Sequence, residues 1–409
     1  MPHRLTPALT LLIAACQAAP PDLDGWFDEA EIRAEPTRAP PPPAACLPGV
    51  GAVIGATPYL SYADALADSV PGDTIGVCPG VHRGFHVAPH EGPLHVVGLG
   101  AAPADTVFDG EGVQPSMLFY RGNPKVTLEN FTFYNYAMDP VYGDGAVQIS
   151  GDTNTPEDGY LIARDLVFRH GRDERASGIS ATWVNLLVED CVFEDNTAVG
   201  LEVSTKFQHD SRVVVRRTRF SGGAPLHFSH VPTSRRLVAS LMLDDVEAEG
   251  CEWGSVSAYG VSVSSHADMR LGVRDAYFHD NTCYGFDVSV VNQRADTDVL
   301  LDRVTFEDNV TVEGSPAAFV FEPLIGPGVN RIWFRDTAFR RNITGSSLIG
   351  TPAWPSNVPA VVAMLYDAEA TFIRTDFGLG ADENLPADLD HCEHAGFVRY
   401  APYVLGQCP

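Results

Sequence analysis

Short runs along this chain alternate apolar with other residues, and the runs return at nearly regular intervals. Leu186 and Val188, Val213 and Val215, Leu241 and Leu243, Leu271 and Val273, Val299 and Leu301, and Ile332 and Phe334 are six such pairs. A period of two marks a strand with one buried face. A row of landmarks accompanies the runs: Phe133, Phe168, Phe193, Phe220, Phe278, Phe306, Phe339 and Phe377, with Ala248 in the one gap. They recur every 25 to 38 residues. Three residues beyond most of them stands a Gly or an Asn: Gly171, Asn196, Gly223, Asn281, Asn309, Asn342 and Gly380. Both types tolerate the left-handed αL conformation, so the spacing predicts a sharp bend at that position once per coil. The Asn residues are expected to form an internal hydrogen-bonded ladder rather than a row of ligands.

A third block completes each repeat: Gly178–Thr182, Gly200–Ser204, Pro225–Ser229, Gly260–Ser264 and Gly285–Ser289. Ile179, Leu201, Leu226, Val261 and Phe286 are expected to stack inward. Thr182, Ser204, Ser229, Ser264 and Ser289 would form a hydroxyl ladder outside. Like residues stack because each coil sets the same position above its predecessor, which describes a solenoid. Ahead of the coils, Tyr59 to Val70 reads as an amphipathic helix with Leu60, Ala63, Leu66, Ala67 and Val70 on one face. It would plug the open end, where bare strand edges invite aggregation.

After that helix come Pro71-Gly72-Asp73-Thr74-Ile75-Gly76-Val77-Cys78-Pro79-Gly80-Val81-His82, then Leu94–Gly98 and Thr106–Gly110. Together with the coils, this succession resembles the opening of parallel β-helix proteins of the pectin-lyase-like superfamily, over residues 57–380. The resemblance implies an all-β chain: a right-handed parallel β-helix over 46–380 with three strands per coil, opened by the N-terminal capping helix. Residues 381–409, where the repeat is lost, read as a disulfide-closed C-terminal cap. This fold hosts lyases, hydrolases, epimerases, adhesins and binding scaffolds, so it leaves function open.

The ends add a location. Met1-Pro2-His3-Arg4 and the apolar run Leu5–Ala15 read as a signal peptide over 1–15. Ile13-Ala14-Ala15-Cys16 resembles a bacterial lipobox, which makes Cys16 the expected lipidation site, and Gln17 resembles an outer-membrane address. Residues 16–45, rich in Pro, Ala, Asp and Glu, are expected to form an extended tether. No later hydrophobic run is long enough to span a bilayer, so membrane contact is expected through the lipid anchor alone. The expected location is the bacterial cell envelope, as an outer-membrane lipoprotein or a secreted protein.

The net charge of −26 disfavours nucleic acid, whose binding needs a basic surface. Calcium bound by stacked carboxylates is a sharper use of that charge, but no calcium motif supports it, and no cofactor or metal site is expected. The eight cysteines fit an oxidising compartment. Cys46 with Cys78 and Cys392 with Cys408 are the expected disulfides. Cys251 and Cys283 are candidates to pair, and Cys191 is expected as a buried thiol.

Chemistry is sought on the outward positions beside each Phe, which read Arg219, then Glu247 and Glu249, then Tyr277 and His279, then Thr305 and Glu307. A candidate catalytic row follows. His279 and Tyr277 would exchange protons beside a uronate, Glu249 and Glu307 would flank them, and Arg219 would neutralise the substrate carboxylate. The plainer alternative is an ordinary solvated surface. A second stripe, Gln148, Ser180, Glu202, His227, Ser262 and Asp287, offers Glu202, His227 and Asp287 as substrate-binding candidates. His82, His86, His90 and His95 read as incidental, and His391-Cys392-Glu393-His394 as part of the cap. The active-site motifs of polygalacturonases, alginate epimerases and calcium-dependent pectate lyases are not found. Two functions stay open: a monomeric scaffold binding a polysaccharide or cell-surface partner, or an enzyme acting on an acidic glycan.

Overall fold

The computed structural model describes residues 20–83, 86–89, 92–112, 117–120, 124–137, 145–151, 159–172, 176–197, 199–204, 210–230, 237–251, 256–261, 267–282, 286–291, 296–311, 319–324, 329–344, 362–364, 368–378, 381, 384, 389–390 and 397–400. The repeated strands stack in parallel register, one coil on the next. Leu186, Val213, Leu241, Leu271, Val299, Ile332 and Ala370 are successive partners. Val188, Val215, Leu243, Val273, Leu301, Phe334 and Phe372 form the companion row, and both rows are buried. The first two blocks of each repeat join one large sheet, and the third joins a second sheet facing it. In one coil the blocks are Asn185–Glu189, Val192–Glu194 and Val199–Ser204. In the next, the first two fuse into the bent strand Ser211–Ser221. The result is a parallel β-helix, as the repeat spacing predicted. Its Phe column is a stack: Phe133, Phe168, Phe193 and Phe220 lie 5.0, 4.6 and 4.8 Å apart. Beyond Ala248, Phe278, Phe306, Phe339 and Phe377 continue at 5.2, 5.2 and 5.3 Å.

The bends differ from expectation. Except at Gly223, the αL residue falls two positions after the Phe, not three: Asn135, His170, Asp195, Gly222, Gly250, Asp280, Asp308 and Arg341. A second αL column lies three positions before it: Asn130, Asp165, Asp190, Arg217, Asp245, Asp275, Arg303, Asp336 and Arg374, with φ between 45° and 64°. Asp is short enough to tolerate αL, and stacked corners place Asp against Arg. Arg217 grips Asp190 at 2.7 and 2.8 Å, Arg303 grips Asp275 at 2.7 and 2.8 Å, and Arg341 grips Asp308 with both bonds at 2.8 Å. Arg374 pairs with Asp336 in the same way.

These arginines hold the Asp190, Asp275, Asp308 and Asp336 carboxyls below the usual range. A depressed folded pKa contributes stability above the unfolded value, near 3.9, that is lost as pH falls through the folded value. The stability gap between the native chain and Arg303→Gln should therefore hold from pH 7 down to about pH 4 and narrow below it. Urea unfolding midpoints across pH measure this. Exposure of the Arg303–Asp275 pair keeps its share of the gap small, and salt should shrink that share, while the buried Asp302, the other partner of Arg303, keeps Arg335.

The position three after the Phe belongs instead to a buried ladder. Asn281 Nδ2 donates to Asn309 Oδ1 at 2.7 Å, Asn309 to Asn342 at 2.8 Å and Asn342 to Asn384 at 3.0 Å. Each Oδ1 also accepts a backbone N–H from the preceding coil, as Asn309 Oδ1 does from Asn281 at 3.2 Å. Upstream, Tyr136 reaches across a coil to donate its hydroxyl to Asn196 at 2.8 Å. Gly171 makes this reach feasible, since a Cβ there would meet the Tyr136 ring at 2.8 Å.

The third block is in register through Ile179, Leu201, Leu226, Val256 and Phe286, so Val256 rather than Val261 holds the column. Ser257 accordingly takes the place expected for Ser262, and Tyr259 that expected for Ser264. The segment carries two successive apolar–Ser alternations, at Val256-Ser257 and at Val261–Ser264, and the coil closes on the first of them.

At the N-terminal end the capping helix, α2, runs Tyr62–Asp68, with the Ser61 side chain accepting from Asp64 N at 3.1 Å. Its buried face is Tyr62, Ala65 and Leu66, with Tyr62 edge-on to Phe108 at 5.3 Å. Of the expected face only Leu66 is buried: Leu60 and Val70 lie outside the helix and are 84% and 50% exposed, and Ala63 and Ala67 lie on its exposed side. The Cys46–Cys78 disulfide is present as expected. At the other end the coils pass residue 380: Leu389–Asp390 and Phe397–Tyr400 extend the two sheets in parallel, where a separate cap was expected. Cys283, Cys392 and Cys408 lie outside the described residues, as does the leader with Cys16. Cys191 is a buried thiol, pushed up to about 12 by burial. Cys251 is buried with its Sγ 3.4 Å from the Glu249 carbonyl.

The tether is the largest correction. Helix α1, Leu23–Glu29, and the chain after it lie along the outside of the large sheet. Leu23, Trp26, Phe27, Ala30 and Ile32 are buried against Ile162, Leu187, Val214, Met242, Leu300 and Trp333. Those sheet residues point away from the core, between the inward rows, so their strands are apolar on both faces and need a cover. Gly272 lies in the same row, where a Cβ would meet Met242 Sδ at 2.6 Å and Leu23 Cδ1 at 2.7 Å. Arg274 lies 4.2 Å over the Phe27 ring and pairs with Asp24 at 2.7 Å. Farther along, Glu35 N donates to the Tyr160 hydroxyl at 2.7 Å, Lys125 pairs with Glu35 at 2.6 Å, and Arg38 pairs with Asp73 at 2.7 Å. The segment is a strap running back toward the disulfide.

Candidate functional site

With every Phe inward, its two neighbours face out. The parallel register then builds two outward rows: Arg219, Glu247, Tyr277 and Thr305 before the Phe, and Ser221, Glu249, His279 and Glu307 after it. His279 thus stands between Glu249 and Glu307 on neighbouring coils, as its sequence position predicted. The side chains divide into two linked groups. His279 Nε2 lies 3.2 Å from Glu247 Oε1 and 3.8 Å from Glu249 Oε2, and Arg219 pairs with both glutamates. Tyr277 donates its hydroxyl to Glu307 at 2.5 Å, and Glu307 is paired with Arg341. The Tyr277 and His279 rings are stacked 4.0 Å apart and join the groups.

Burial of His279 works against its protonation, but its Nδ1 hydrogen bond to Asp280 at 2.8 Å and its contact with Glu247 outweigh that. The balance raises its pKa. Burial, with the bond to Glu307, pushes the Tyr277 hydroxyl up to about 12. Three participants lay outside the expected row. Asp280 and Arg341 occupy αL corners, Asp280 bonding His279 and Arg341 reaching Glu307 on the preceding coil. Glu247, an outward position beside the expected row, is the third. The signal that could have found Asp280 is the Asp-Asn pair two and three residues after Phe278, seen also at Asp195-Asn196 and Asp308-Asn309.

The second stripe lies on the other sheet. Glu202 and His227 are register partners, and Asp287 follows two coils later with Ser257 between. His227 is half-buried, and burial lowers its pKa. The site candidates therefore form two separate groups. His82 hydrogen-bonds the Cys78 carbonyl at 2.8 Å, and His95 lies 3.1 Å from Glu129, so both serve the scaffold. His86, His90, His391 and His394 have no described side chains.

Beside the His279 group lies an open hollow of about 340 Å³, lined by Asp190, Arg217, Thr218, Arg219, Asp245 and Glu247 among others. Residues 138–144 and 152–158 lie outside the described residues. Tyr134 is 37% exposed and packs edge-on to His170 at 5.2 Å. Among the described residues no helix is long and apolar enough to cross a membrane.

No protein-family model and no curated protein matches the chain. Three solved structures are similar to it. The A-module of mannuronan C-5 epimerase AlgE6 from Azotobacter vinelandii is 12% identical, with a TM-score of 0.44 over 83% of this chain and 93% of that one. Pectate lyase Pel9A is 13% identical, with a TM-score of 0.35 over 93% and 80%. The catalytic unit of a GH87 α-1,3-glucanase from Streptomyces thermodiastaticus is 13% identical, with a TM-score of 0.33 over 85% and 66%. The β-helix itself rests on the strand registers described above.

Proposed function

We propose that this chain is a cell-envelope-anchored scaffold that binds a polysaccharide or protein partner across the face carrying Tyr277 and His279. One observation carries the proposal: the groups able to move protons there are already engaged. Tyr277 holds its proton against Glu307, both His279 nitrogens meet carboxylates, and Arg219 and Arg341 are paired with glutamates. A general base needs a free lone pair within reach of substrate, and a binding face needs only rigid, satisfied groups. A row of side chains repeated at about 4.8 Å also suits an extended polymer.

Anchoring rests on the lipobox-like Cys16. Leu23, where the strap begins, stands seven positions after it, so at most about 24 Å of chain would join lipid to docked protein. The β-helix would then be held against the membrane rather than far above it.

A glycan array and a pull-down of envelope polysaccharides test the proposal. The native chain should bind, and Tyr277→Ala, which removes the stacked ring, should weaken binding about tenfold or more. Binding that Tyr277→Ala leaves intact would place the partner elsewhere. Catalysis on an acidic glycan is the alternative: Asp280 holds His279 Nδ1, and a shift of the partly exposed Glu247 would free Nε2 for proton transfer.

A further inference from the structure

Glu247 and Glu249 lie two residues apart on one strand, so both carboxylates leave the same face. His279 is the register partner of Glu249 on the next coil. One ligand atom from each of the three lies within 4.8 Å of the others, with Nε2 at 3.2 Å from Glu247 and 3.8 Å from Glu249. Atoms bound to one tetrahedral ion at about 2.1 Å sit about 3.4 Å apart. Small rotations of two glutamates would close that difference.

The other imidazole nitrogen, Nδ1, is held by the Asp280 carboxylate at 2.8 Å. A carboxylate behind the imidazole is the arrangement that orients a metal-binding His and points its free nitrogen at the ion. Three atoms, one imidazole nitrogen and two carboxylate oxygens, leave a coordination position open. The Glu247 side chain is 40% exposed, so the group of three is reached from solvent on that side. Imidazole with carboxylates suits zinc and similar first-row ions, whereas calcium takes oxygen ligands.

We propose that Glu247, Glu249 and His279 form a site for a divalent first-row transition ion, with Asp280 positioning the His. Arg219 pairs with both glutamates and competes with the ion for them. The proposal goes beyond partner binding and stands whether or not this face holds a polysaccharide.

The test uses the whole chain stripped with a chelator and titrated with Zn²⁺ by calorimetry. Co²⁺ serves as a second probe through its visible absorption. One equivalent should bind. His279→Gln and Glu249→Gln should each weaken binding tenfold or more, and Asp280→Asn by about tenfold. Arg219→Gln should tighten it by removing the competitor. Thermal melts of the metal-free variants check folding, and the partly exposed Glu249 carries the test if His279→Gln fails to fold. Absence of binding to both the native chain and Arg219→Gln would overturn the proposal. So would one-equivalent binding indifferent to Glu249→Gln and Asp280→Asn. Partner binding is assayed on metal-free protein, so the two proposals fail separately.

Discussion

Asn309→Ala should lower the unfolding free energy by about 4 kcal/mol, since it orphans several buried polar groups at once. Asn309 is fully buried. Its Oδ1 accepts from the Asn281 side chain at 2.7 Å and the Asn281 backbone at 3.2 Å. Its Nδ2 donates to the Phe278 carbonyl at 3.0 Å and to Asn342 at 2.8 Å. A buried group left without a partner costs about 1–3 kcal/mol. An αL residue replaced by Ala would cost only about 1–2 kcal/mol, so the size of the loss separates the two roles. Asn309→Gly separates them further. It would be harmless at an αL bend and should be as damaging as Ala in a ladder. Asp308→Gly, at the true bend, should cost little beyond its pair with Arg341. Chemical denaturation of the four proteins measures all of this.

Phe27→Ala should release the strap rather than unfold the coils. Phe27 is buried under Arg274 in a cluster that shares no residue with the β-helix interior. Truncating a buried Phe costs about 3–5 kcal/mol. Taken at about 3 kcal/mol, the opened strap becomes about 150-fold more populated. The Glu35 amide, donated to the Tyr160 hydroxyl, should lose hydrogen-exchange protection by a similar factor. Amides of Leu241–Leu243 should keep theirs. The exposed row of Leu187, Val214, Met242 and Leu300 should also bind a hydrophobic dye. Unchanged Glu35 protection would mean that the strap is not held by this contact.

These two results mark where sequence was and was not sufficient. Inward rows such as Leu186 to Ile332 were legible because period-two burial leaves a direct trace in residue type. The Phe column then set a register, and that register alone placed His279 between Glu249 and Glu307. The bend was misplaced by one residue because Asp280 and Asn281 both tolerate αL. Only the inside of the coil distinguishes them, since the amide can both donate and accept while a carboxylate cannot. The strap carried a helical signal, Leu23, Trp26 and Phe27 at spacings of three and four, within a Pro-rich, acidic stretch. Its other half was the unbroken apolar run through Leu187, Val214 and Leu300, which means burial on both faces. Arg341 joins the site through corner geometry that residue type does not encode, whereas Asp280 leaves a trace in its Asp-Asn pair.

Catalysis and binding divide on one measurement: incubation of the native chain with the polysaccharides it retains, followed by ultraviolet absorbance of unsaturated products and by new reducing ends. A scaffold with its proton-transfer groups engaged should produce neither signal over prolonged incubation. Product that forms with the native chain and vanishes with His279→Ala would contradict the scaffold account and make His279 part of an active site.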